Sequence, residues 1–294
     1  MKIIAVGGGK GGTGKTVFAA NLSLSFAEKG YKVLLVDLDV DNPCTYTLFK
    51  RDLKRVKTIS FFKPKLLEDK CTLCGECIKY CPVHALVLIP GKKLLFIKTL
   101  CEGCGNCTIV CPEKAIVEDN MAIGYILENR DSNPSIIVGE LIPGERKTDE
   151  VMRDTLKYGI NIGLKDKYDL IILDIPPGTG EGIYNAFKEA DMIISITEPT
   201  KLGLNDFKKL CKLIEKMSNK KHITIINKYG LKGGIYKELI QFIKKLKIDF
   251  YTIPYDEKMM EAYILGQPVI KIYPNSPSSQ AIKRITKKIE FILK

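Results

Sequence analysis

The sequence predicts an α/β fold, a doubly wound and mostly parallel sheet that is interrupted by a smaller α+β insert. Three observations predict it. Short apolar runs alternate with helical stretches along most of the 294 residues, which is typical of a parallel sheet covered by helices on both faces. A glycine-rich loop follows the first apolar run, and eight of the ten cysteines lie between positions 71 and 111. The cysteine-rich segment therefore reads as a separate unit within the chain.

The order of the elements follows from the apolar runs and the helical periodicity. The predicted strands are 2–6, 32–36, 169–174, 191–197, 222–227 and 249–253. The predicted helices are 15–29, 148–160, 182–190, 203–218, 234–246 and 278–293. Segment 63–120 interrupts the alternation, and its two halves share the ending Cys-Pro-x-x-Ala-(Leu/Ile)-Val. We therefore predict a discontinuous domain of residues 1–62 and 121–294, with a duplicated insert at 63–120.

Composition restricts the class of protein. Hydrophobic residues make up 45% and charged residues 27%, values typical of a globular chain. The longest apolar runs fall short of the ~20 residues of a membrane span, and the amino terminus lacks a leader pattern, so we expect a cytoplasmic protein. The net charge is +12, but the lysine runs carry no interleaved aromatics, so nucleic acid is not an expected partner. The amphipathic stretch 281–293 is expected to pack on the sheet rather than bind a membrane.

The eight clustered cysteines occur as two runs of Cys-x2-Cys-x2-Cys-x3-Cys-Pro, the spacing of bacterial ferredoxins. Three thiolates on one tight loop can bind three irons of a cubane, and in two-cluster arrangements the fourth cysteine of each run ligates the other cluster. Two zinc sites are the alternative, although zinc does not require the third cysteine, the x3 gap and the proline together. We predict one 4Fe-4S cluster on Cys71, Cys74, Cys77 and Cys111, and a second on Cys101, Cys104, Cys107 and Cys81. The remaining two, Cys44 and Cys211, are expected to be buried and unreactive.

The glycine-rich loop lies between a strand and a helix, the context that a phosphate-binding loop requires. Its backbone N–H groups can surround phosphate, the Lys15 ammonium can reach the β- and γ-phosphates, and the Thr16 hydroxyl can bind Mg²⁺. The predicted nucleotide-binding residues of the loop are Gly9, Lys10, Gly11, Gly12, Thr13, Gly14, Lys15, Thr16 and Val17.

Two carboxylate positions follow buried strands. Asp37, Asp39 and Asp41 come directly after the run 33–36, and Asp174 ends the run 170–173, the Walker B pattern. Because the carboxyl ends of parallel strands face the ligand crevice, we predict that Asp174 holds Mg²⁺ through water.

These motifs together carry a specific resemblance. The loop sequence Lys-Gly-Gly-Thr-Gly-Lys-Thr at 10–16 resembles the deviant Walker A motif of the family that contains MinD, ParA, Mrp and the nitrogenase iron protein. The stretches 36–43, 174–180, 197–200, 226–229 and 253–256, with the double cysteine motif, resemble MinD-type ATPases that carry an inserted ferredoxin domain. The resemblance covers nearly the whole chain and implies a MinD-like P-loop fold, an ATPase activity, and ATP and Mg²⁺ as ligands.

The resemblance also implies roles for single residues. Lys10 would cross to the nucleotide of a second subunit, which implies an ATP-dependent homodimer. Asp39 would orient or deprotonate the attacking water, and Asp37 would support Mg²⁺. Asn227 and Pro254 would contact adenine. The predicted catalytic residues are therefore Lys10, Lys15 and Asp39, and the predicted magnesium residues are Thr16, Asp37 and Asp174.

Three functions fit these motifs. The first is an ATPase whose cycle gates electron transfer through its own two clusters to a redox partner. The second is an ATP-dependent assembly or carrier factor for iron-sulfur clusters, although the surface Cys-x-x-Cys of the carriers is missing near the C-terminus. The third is a positioning ATPase with structural clusters. We favour the first, because both four-cysteine sets are complete.

Overall fold

The computed structural model describes residues 1–217 and 220–293. Position 218, the end of the predicted helix 203–218, lies outside the described residues, as do 219 and 294. The strands are β1 (Lys2–Gly7), β2 (Val33–Asp37), β3 (Lys54–Phe62), β4 (Lys65–Leu66), β5 (Leu86–Ile89), β6 (Lys93–Phe96), β7 (Ile116–Val117), β8 (Asn120–Asn129), β9 (Ser135–Leu141), β10 (Leu170–Asp174), β11 (Met192–Thr197), β12 (Lys221–Tyr229) and β13 (Asp249–Pro254). The helices are α1 (Lys15–Ala27), α2 (Glu76–Lys79), α3 (Asn106–Val110), α4 (Thr148–Lys165), α5 (Glu181–Glu189), α6 (Lys201–Ile214), α7 (Tyr236–Lys245), α8 (Glu257–Ile264), α9 (Val269–Ile272) and α10 (Pro277–Leu293).

The main sheet has the strand order β13-β12-β11-β1-β10-β2-β9-β8-β3. The pairs from β13 through to β9 are parallel, which confirms the predicted α/β class and the mostly parallel sheet. All six predicted strands and all six predicted helices are present, with ends shifted by a few residues. The strands β3, β8 and β9 were not predicted; β3 and β8 lack a continuous buried run, whereas β9 has one over residues 135–139 that was overlooked.

The core of the sheet forms because its central strands are apolar on both faces. Every residue of β2, β10 and β11 is buried. Helix α10 buries Ile282, Ile285 and Ile289 in the same apolar cluster as β1 and α1, which confirms that this stretch packs on the sheet. Within the described residues, no helix is both long and apolar enough to cross a membrane.

The chain divides into two compact units. The larger unit consists of Met1–Val56, Ile126–Glu140 and the described part of Thr148–Lys294, and the smaller unit consists of Lys57–Tyr125 and Leu141–Lys147. The smaller unit is thus longer than the predicted insert 63–120 at both ends, because residues of β3 and β8 and the segment 141–147 pack with it. No sequence pattern indicated the last of these segments, which begins at the final residue of β9.

The smaller unit shows the duplication that the sequence predicts. Each half has one short helix, α2 or α3, which contains the third cysteine of its run. Each helix is preceded by a glycine in the left-handed region, Gly75 at φ +78° and Gly105 at +77°. Gly103, at φ +69°, has Leu73 at +59° as its counterpart in the first half. A left-handed leucine is rarely tolerated, so the loop geometry is imposed by the fold and not by glycine alone.

Candidate functional site

The nucleotide-binding loop lies between β1 and α1 in the larger unit. Gly12 and Gly14 have φ values of +77° and +93°, which side chains rarely adopt, and Gly14 directly precedes the first residue of α1. A Cβ added at Gly14 would lie 2.4 Å from the amide nitrogen of Asn227. The loop therefore needs glycine both for its turn and for its close approach to β12.

A cleft of about 440 Å³ opens beside this loop. Its walls include most of the predicted loop residues, Asp39, and the predicted adenine residues Asn227 and Pro254. The loop residues that line it are Gly11, Gly12, Gly14, Lys15, Thr16 and Val17. The volume lies within the usual range for small-molecule sites.

Three of the predicted loop residues, Gly9, Lys10 and Thr13, are absent from the lining of the cleft. Gly9 is packed against α6, because an added Cβ would lie 2.2 Å from the carbonyl oxygen of Asp206. Thr13 is buried, and its hydroxyl donates to the Lys10 carbonyl at 3.4 Å. These residues shape the loop rather than face a ligand in the cleft.

Lys15 is buried at the first residue of α1. Its ammonium donates a hydrogen bond of 3.1 Å to the carbonyl oxygen of Lys10. Burial lowers the pKa of Lys15, while Asp174 and Asp39 act in the opposite direction. A partly desolvated ammonium interacts strongly with phosphate, because fewer water dipoles compete for it.

The two strand-end carboxylates Asp37 and Asp174 are neighbours in register across β2 and β10. Asp37 is fully buried, and its oxygens accept three backbone N–H bonds of 3.0 Å, from Asp39, Cys44 and Thr45. Burial raises the pKa of Asp37 to about 6 despite these donors. Asp37 therefore fixes the loop that carries Asp39.

The Asp174 carboxylate differs from that of Asp37 in having no hydrogen-bond partner among the described residues. Both of its oxygens are buried, and neither is bonded within the described part of the chain. Burial and the neighbouring Asp37 raise the pKa of Asp174 well above its ordinary value, and the nearby Thr16 hydroxyl lowers it. A buried carboxylate without a partner is costly, and a divalent cation with its water shell is the kind of ligand that would compensate for it.

Asp39 lies at the wall of the cleft and is half-buried. Burial raises its pKa, the Lys15 ammonium lowers it, and Asp41 raises it. A carboxylate in this place can accept a hydrogen bond from a water molecule in the cleft, which is the role expected of it.

The cleft also contains residues that the sequence did not indicate. Cys44 lines it and is only half-buried, so the expectation of a buried core cysteine was wrong for Cys44. It was right for Cys211, which is 2% exposed and packs against Phe207. Two residues of α8, Met260 and Tyr263, form an apolar wall, which the sequence did not show because α8 was not predicted.

Glu198 joins two lysines of this region, a role that its place in the stretch 197–200 did not indicate. Its carboxylate pairs with the Lys10 ammonium at 2.9 Å and the Lys228 ammonium at 2.8 Å. Lys228 also donates to the Gly12 carbonyl at 3.1 Å. Burial acts to raise the pKa of Glu198, but Lys228 and Lys10 hold it below its ordinary value. Lys10 is therefore engaged within its own subunit.

In the smaller unit, the eight clustered cysteines surround two separate cavities. The first cavity is lined by Cys71, Cys74, Cys77 and Cys111. The second cavity is lined by Cys81, Cys101, Cys104 and Cys107. The rest of each lining is mainly apolar, with one glutamate in each, Glu113 in the first and Glu102 in the second. Each cavity thus takes three cysteines from one half and the fourth from the other half.

The three buried thiols of these cavities, those of Cys77, Cys101 and Cys107, have a raised pKa and ionise less readily than a free thiol. Burial and the neighbouring cysteines raise the pKa of Cys77 and of Cys107 to about 11. Among residues 1–217 and 220–293, no three His, Cys, Asp or Glu side chains converge on a point where one metal ion could bind them. A zinc site needs four ligands within ~2.3 Å of one atom, whereas a cubane offers a separate iron to each cysteine.

One nucleotide-binding family matches most of the chain. The CobQ/CobB/MinD/ParA nucleotide binding domain matches residues 4–269. The chain belongs to this family. It is accordingly an ATPase of the MinD/ParA type, as the loop motif predicts.

Individual relatives cover almost the whole chain. An uncharacterized protein of Methanocaldococcus jannaschii is 35% identical over 273 residues, 92% of each chain. An iron-sulfur cluster carrier protein of Aquifex aeolicus is 25% identical over 99% of this chain and 68% of its own length. Among solved structures, the cell division ATPase MinD of Pyrococcus furiosus aligns with a TM-score of 0.59 at 21% identity, over 99% of both chains. The MinD-like fold is thereby confirmed.

Proposed function

We propose that this ATPase uses nucleotide binding and hydrolysis to control one-electron transfer through two 4Fe-4S clusters held by its smaller unit. The observation that carries the proposal is the grouping of the eight cysteines around two cavities, in the sets that ferredoxin spacing requires. Clusters bound there would supply low-potential one-electron carriers.

The donor sets fit the proposed ligands. Each cavity offers four thiols, and iron would provide the charge that lets the Cys77 and Cys107 thiols, each with a pKa of about 11, ionise. Beside the cleft, the unpartnered and buried oxygens of Asp174, with the hydroxyl of Thr16 on the cleft wall, would hold Mg²⁺. Asp37 supports that site by holding the loop to Asp39 in place.

The nucleotide would lie along the cleft from the loop to α8. The loop N–H groups and Lys15 would bind the β- and γ-phosphates, with adenine towards Asn227 and Pro254. Asp39 would orient the attacking water in line with the γ-phosphate. Lys10 would leave Glu198 and neutralise phosphate charge on a second subunit, so that ATP favours a homodimer.

Coupling between the units would run through the chain that joins them. The segment that enters the smaller unit at Lys57 begins shortly after the loop carrying Asp39, and β3 and β8 each have residues in both units. A change in that loop with the γ-phosphate would alter which face of the smaller unit a redox protein can reach.

The test is anaerobic purification followed by metal analysis and electron paramagnetic resonance of the reduced protein, with and without ATP. We expect about eight irons per chain, and a change in the rate at which an acceptor is reduced when ATP is added. The matched control is Lys15→Ala, which should keep the iron and lose the response to ATP. Two zinc ions per chain, or an ATP-independent rate, would contradict the proposal.

A second candidate is an ATP-dependent iron-sulfur cluster carrier, favoured by the Aquifex aeolicus relative of that name. Here the clusters would be cargo, and they would pass to an acceptor that lacks iron. The buried position of Cys211 leaves no exposed cysteine near the end of the described chain to receive such cargo. Incubation with an iron-free ferredoxin distinguishes the two, because only the carrier loses iron to it.

A further inference from the structure

Three lysines are buried in the described part of the chain, and two of them lie in the smaller unit. Lys15 is the lysine of the nucleotide cleft, whereas Lys63 and Lys147 have no place in the function proposed above. Burying an ammonium is costly, so two such residues in a small unit call for an explanation.

Both lysines flank the second cavity. Lys63 directly precedes Pro64, which lines that cavity. Lys147 pairs with Glu102, another residue of the same lining, and its ammonium lies 4.6 Å from the centre of the Phe61 ring. Phe61 in turn touches the cysteine loop, since a Cβ added at Gly103 would lie 2.6 Å from it.

The charges in these two ion pairs are unequally exposed. The Lys63 side chain is 1% exposed and its partner Glu145, at 2.6 Å, is 14% exposed. The Lys147 side chain is 7% exposed, whereas Glu102 is 59% exposed. Water screens the more exposed carboxylates more than the buried ammonium groups, so each lysine adds positive potential at the second cavity that would be lost with its charge.

The first cavity has no buried lysine beside it within the described residues. Neither lining contains lysine or arginine, and the lysines that directly precede residues of the first lining, Lys70, Lys93 and Lys114, are exposed. A second, independent difference lies in the hydrogen bonds to sulfur. In the second cavity Cys81 accepts from the Ala85 N–H at 3.2 Å and Cys101 from the Gly103 N–H at 3.4 Å.

The described residues give the first cavity one such bond, from the Ala115 N–H to Cys111 at 3.2 Å. Positive charge and N–H donors both stabilise the more negative, reduced state of an iron-sulfur site. We therefore infer that Lys63 and Lys147 are positioning residues that make the second cavity the higher-potential site, where the transferred electron rests. This inference depends on the function proposed above.

The inference gives the electron a direction. An electron donated to the protein would enter at the first cavity and move to the second, from which the redox partner takes it. Only the site of Cys81, Cys101, Cys104 and Cys107 would then need to be close to that partner.

The test is a redox titration of the anaerobically reconstituted protein, followed by electron paramagnetic resonance. Two potentials are expected, and Cys104→Ser should change the upper one while Cys74→Ser changes the lower one; both cysteines are exposed. Lys63→Met and Lys147→Met should each lower the upper potential by about 59 mV, a tenfold change in a one-electron equilibrium. Lys147→Met carries the test if Lys63→Met fails to bind iron, because its partner Glu102 is exposed.

The matched control is Lys79→Met. Lys79 lies on α2 between Cys77 and Cys81, but its side chain is 67% exposed, so water screens its charge and both potentials should stay unchanged. A protein with iron in which neither buried-lysine variant moves the upper potential would overturn this inference alone. A protein that binds no iron would overturn the inference and the proposed function together.

Discussion

The nucleotide cleft and the cysteine cavities belong to units with very different cores. In the larger unit a continuous apolar cluster, which includes Ile4, Phe18 and Leu35, lies beneath a site made of loop and strand ends. In the smaller unit the buried cluster consists of Leu86, Leu94 and Ile116 together with Cys77 and Cys107. Two of its five buried members are therefore residues that would bind metal.

This difference teaches how binding and folding are linked in each unit. The larger unit can form its cleft before a nucleotide arrives, because the core does not contain the binding groups. In the smaller unit the proposed binding groups are part of the core, so that metal binding, if it occurs as proposed, would supply free energy of folding. Loss of nucleotide should consequently leave the larger unit folded, whereas loss of metal should unfold the smaller unit.

The largest effect is expected from removing the metal. Cys77→Ser combined with Cys107→Ser should abolish iron binding and leave the smaller unit unfolded, because the two buried ligands are also core residues. Nucleotide affinity of the larger unit should change by less than about threefold, because its core contains none of the eight clustered cysteines and sites without shared partners behave nearly independently. Limited proteolysis and titration with a fluorescent ATP analogue measure the two outcomes. A folded, protease-resistant smaller unit without iron would show that this unit folds independently of metal.

Removal of the Lys15 ammonium should affect the larger unit and leave the smaller unit unchanged. Lys15→Ala should weaken ATP binding by more than about a hundredfold, since a buried ammonium no longer faces the phosphates. Iron content and proteolysis of the smaller unit should be unchanged. Lys29→Ala is the control, because Lys29 pairs with Glu290 at the surface. Normal ATP binding by Lys15→Ala would show that the cleft is not the nucleotide site.

Substitution of Asp174 should separate stability from activity. Asp174→Asn removes a buried carboxylate without a hydrogen-bond partner, so we expect ATP hydrolysis to be lost while the free energy of unfolding without Mg²⁺ rises by about 1–3 kcal/mol at pH 8. The pKa of Asp174 is raised in the folded protein, so the folded state favours its protonated form. The gain should therefore vanish below about pH 4, where Asp174 is protonated in both states.

Denaturant titration at the two pH values, beside activity assays, measures this effect. Asp131→Asn serves as the control, because Asp131 is an exposed carboxylate of the same unit. A destabilised Asp174→Asn protein at pH 8 would mean that the carboxylate is compensated in the absence of Mg²⁺.

The two units also differ in what the sequence reveals. Six of the nineteen residues that line the cleft were found from one local motif, because a strand, a glycine loop and a helix fix the geometry of Lys15 and Thr16 over a short stretch. The cysteine spacing likewise anticipated which four cysteines surround each cavity.

Residues that meet only in the folded chain were missed. Glu198 lies 188 positions from its partner Lys10, and the resemblance carried by the stretch 197–200 does not indicate that pair. Glu145 pairs with Lys63 across 82 positions, in a segment that appeared to belong to the other unit. Such pairs depend on sheet order, which the alternation of helices and strands does not determine.

Glu198 offers a smaller test on the nucleotide side. Glu198→Gln weakens a charge-assisted bond that keeps Lys10 within its own subunit, so ATP-dependent dimerisation should require about five- to tenfold less ATP. Analytical ultracentrifugation across ATP concentrations measures this change. Glu189→Gln, at an exposed position on α5, should behave as the parent protein. A higher ATP requirement would show that Glu198 supports the dimer instead of restraining Lys10.

The smallest effect is expected from substituting the two histidines, His222 in the larger unit and His84 in the smaller unit. His222 lies on β12 with its ring nitrogen 2.8 Å from the Ser195 hydroxyl, and burial lowers its pKa to about 4. Since the folded pKa lies below the unfolded value of about 6.5, stability should fall by about 1–3 kcal/mol as the pH drops from 6.5 to 4. His222→Gln should remove this part of the pH dependence. His84→Gln, at an exposed position in the smaller unit, should leave it intact, because the larger unit alone would carry the titration. Equal pH profiles for the parent and His222→Gln would place the acid sensitivity outside the sheet.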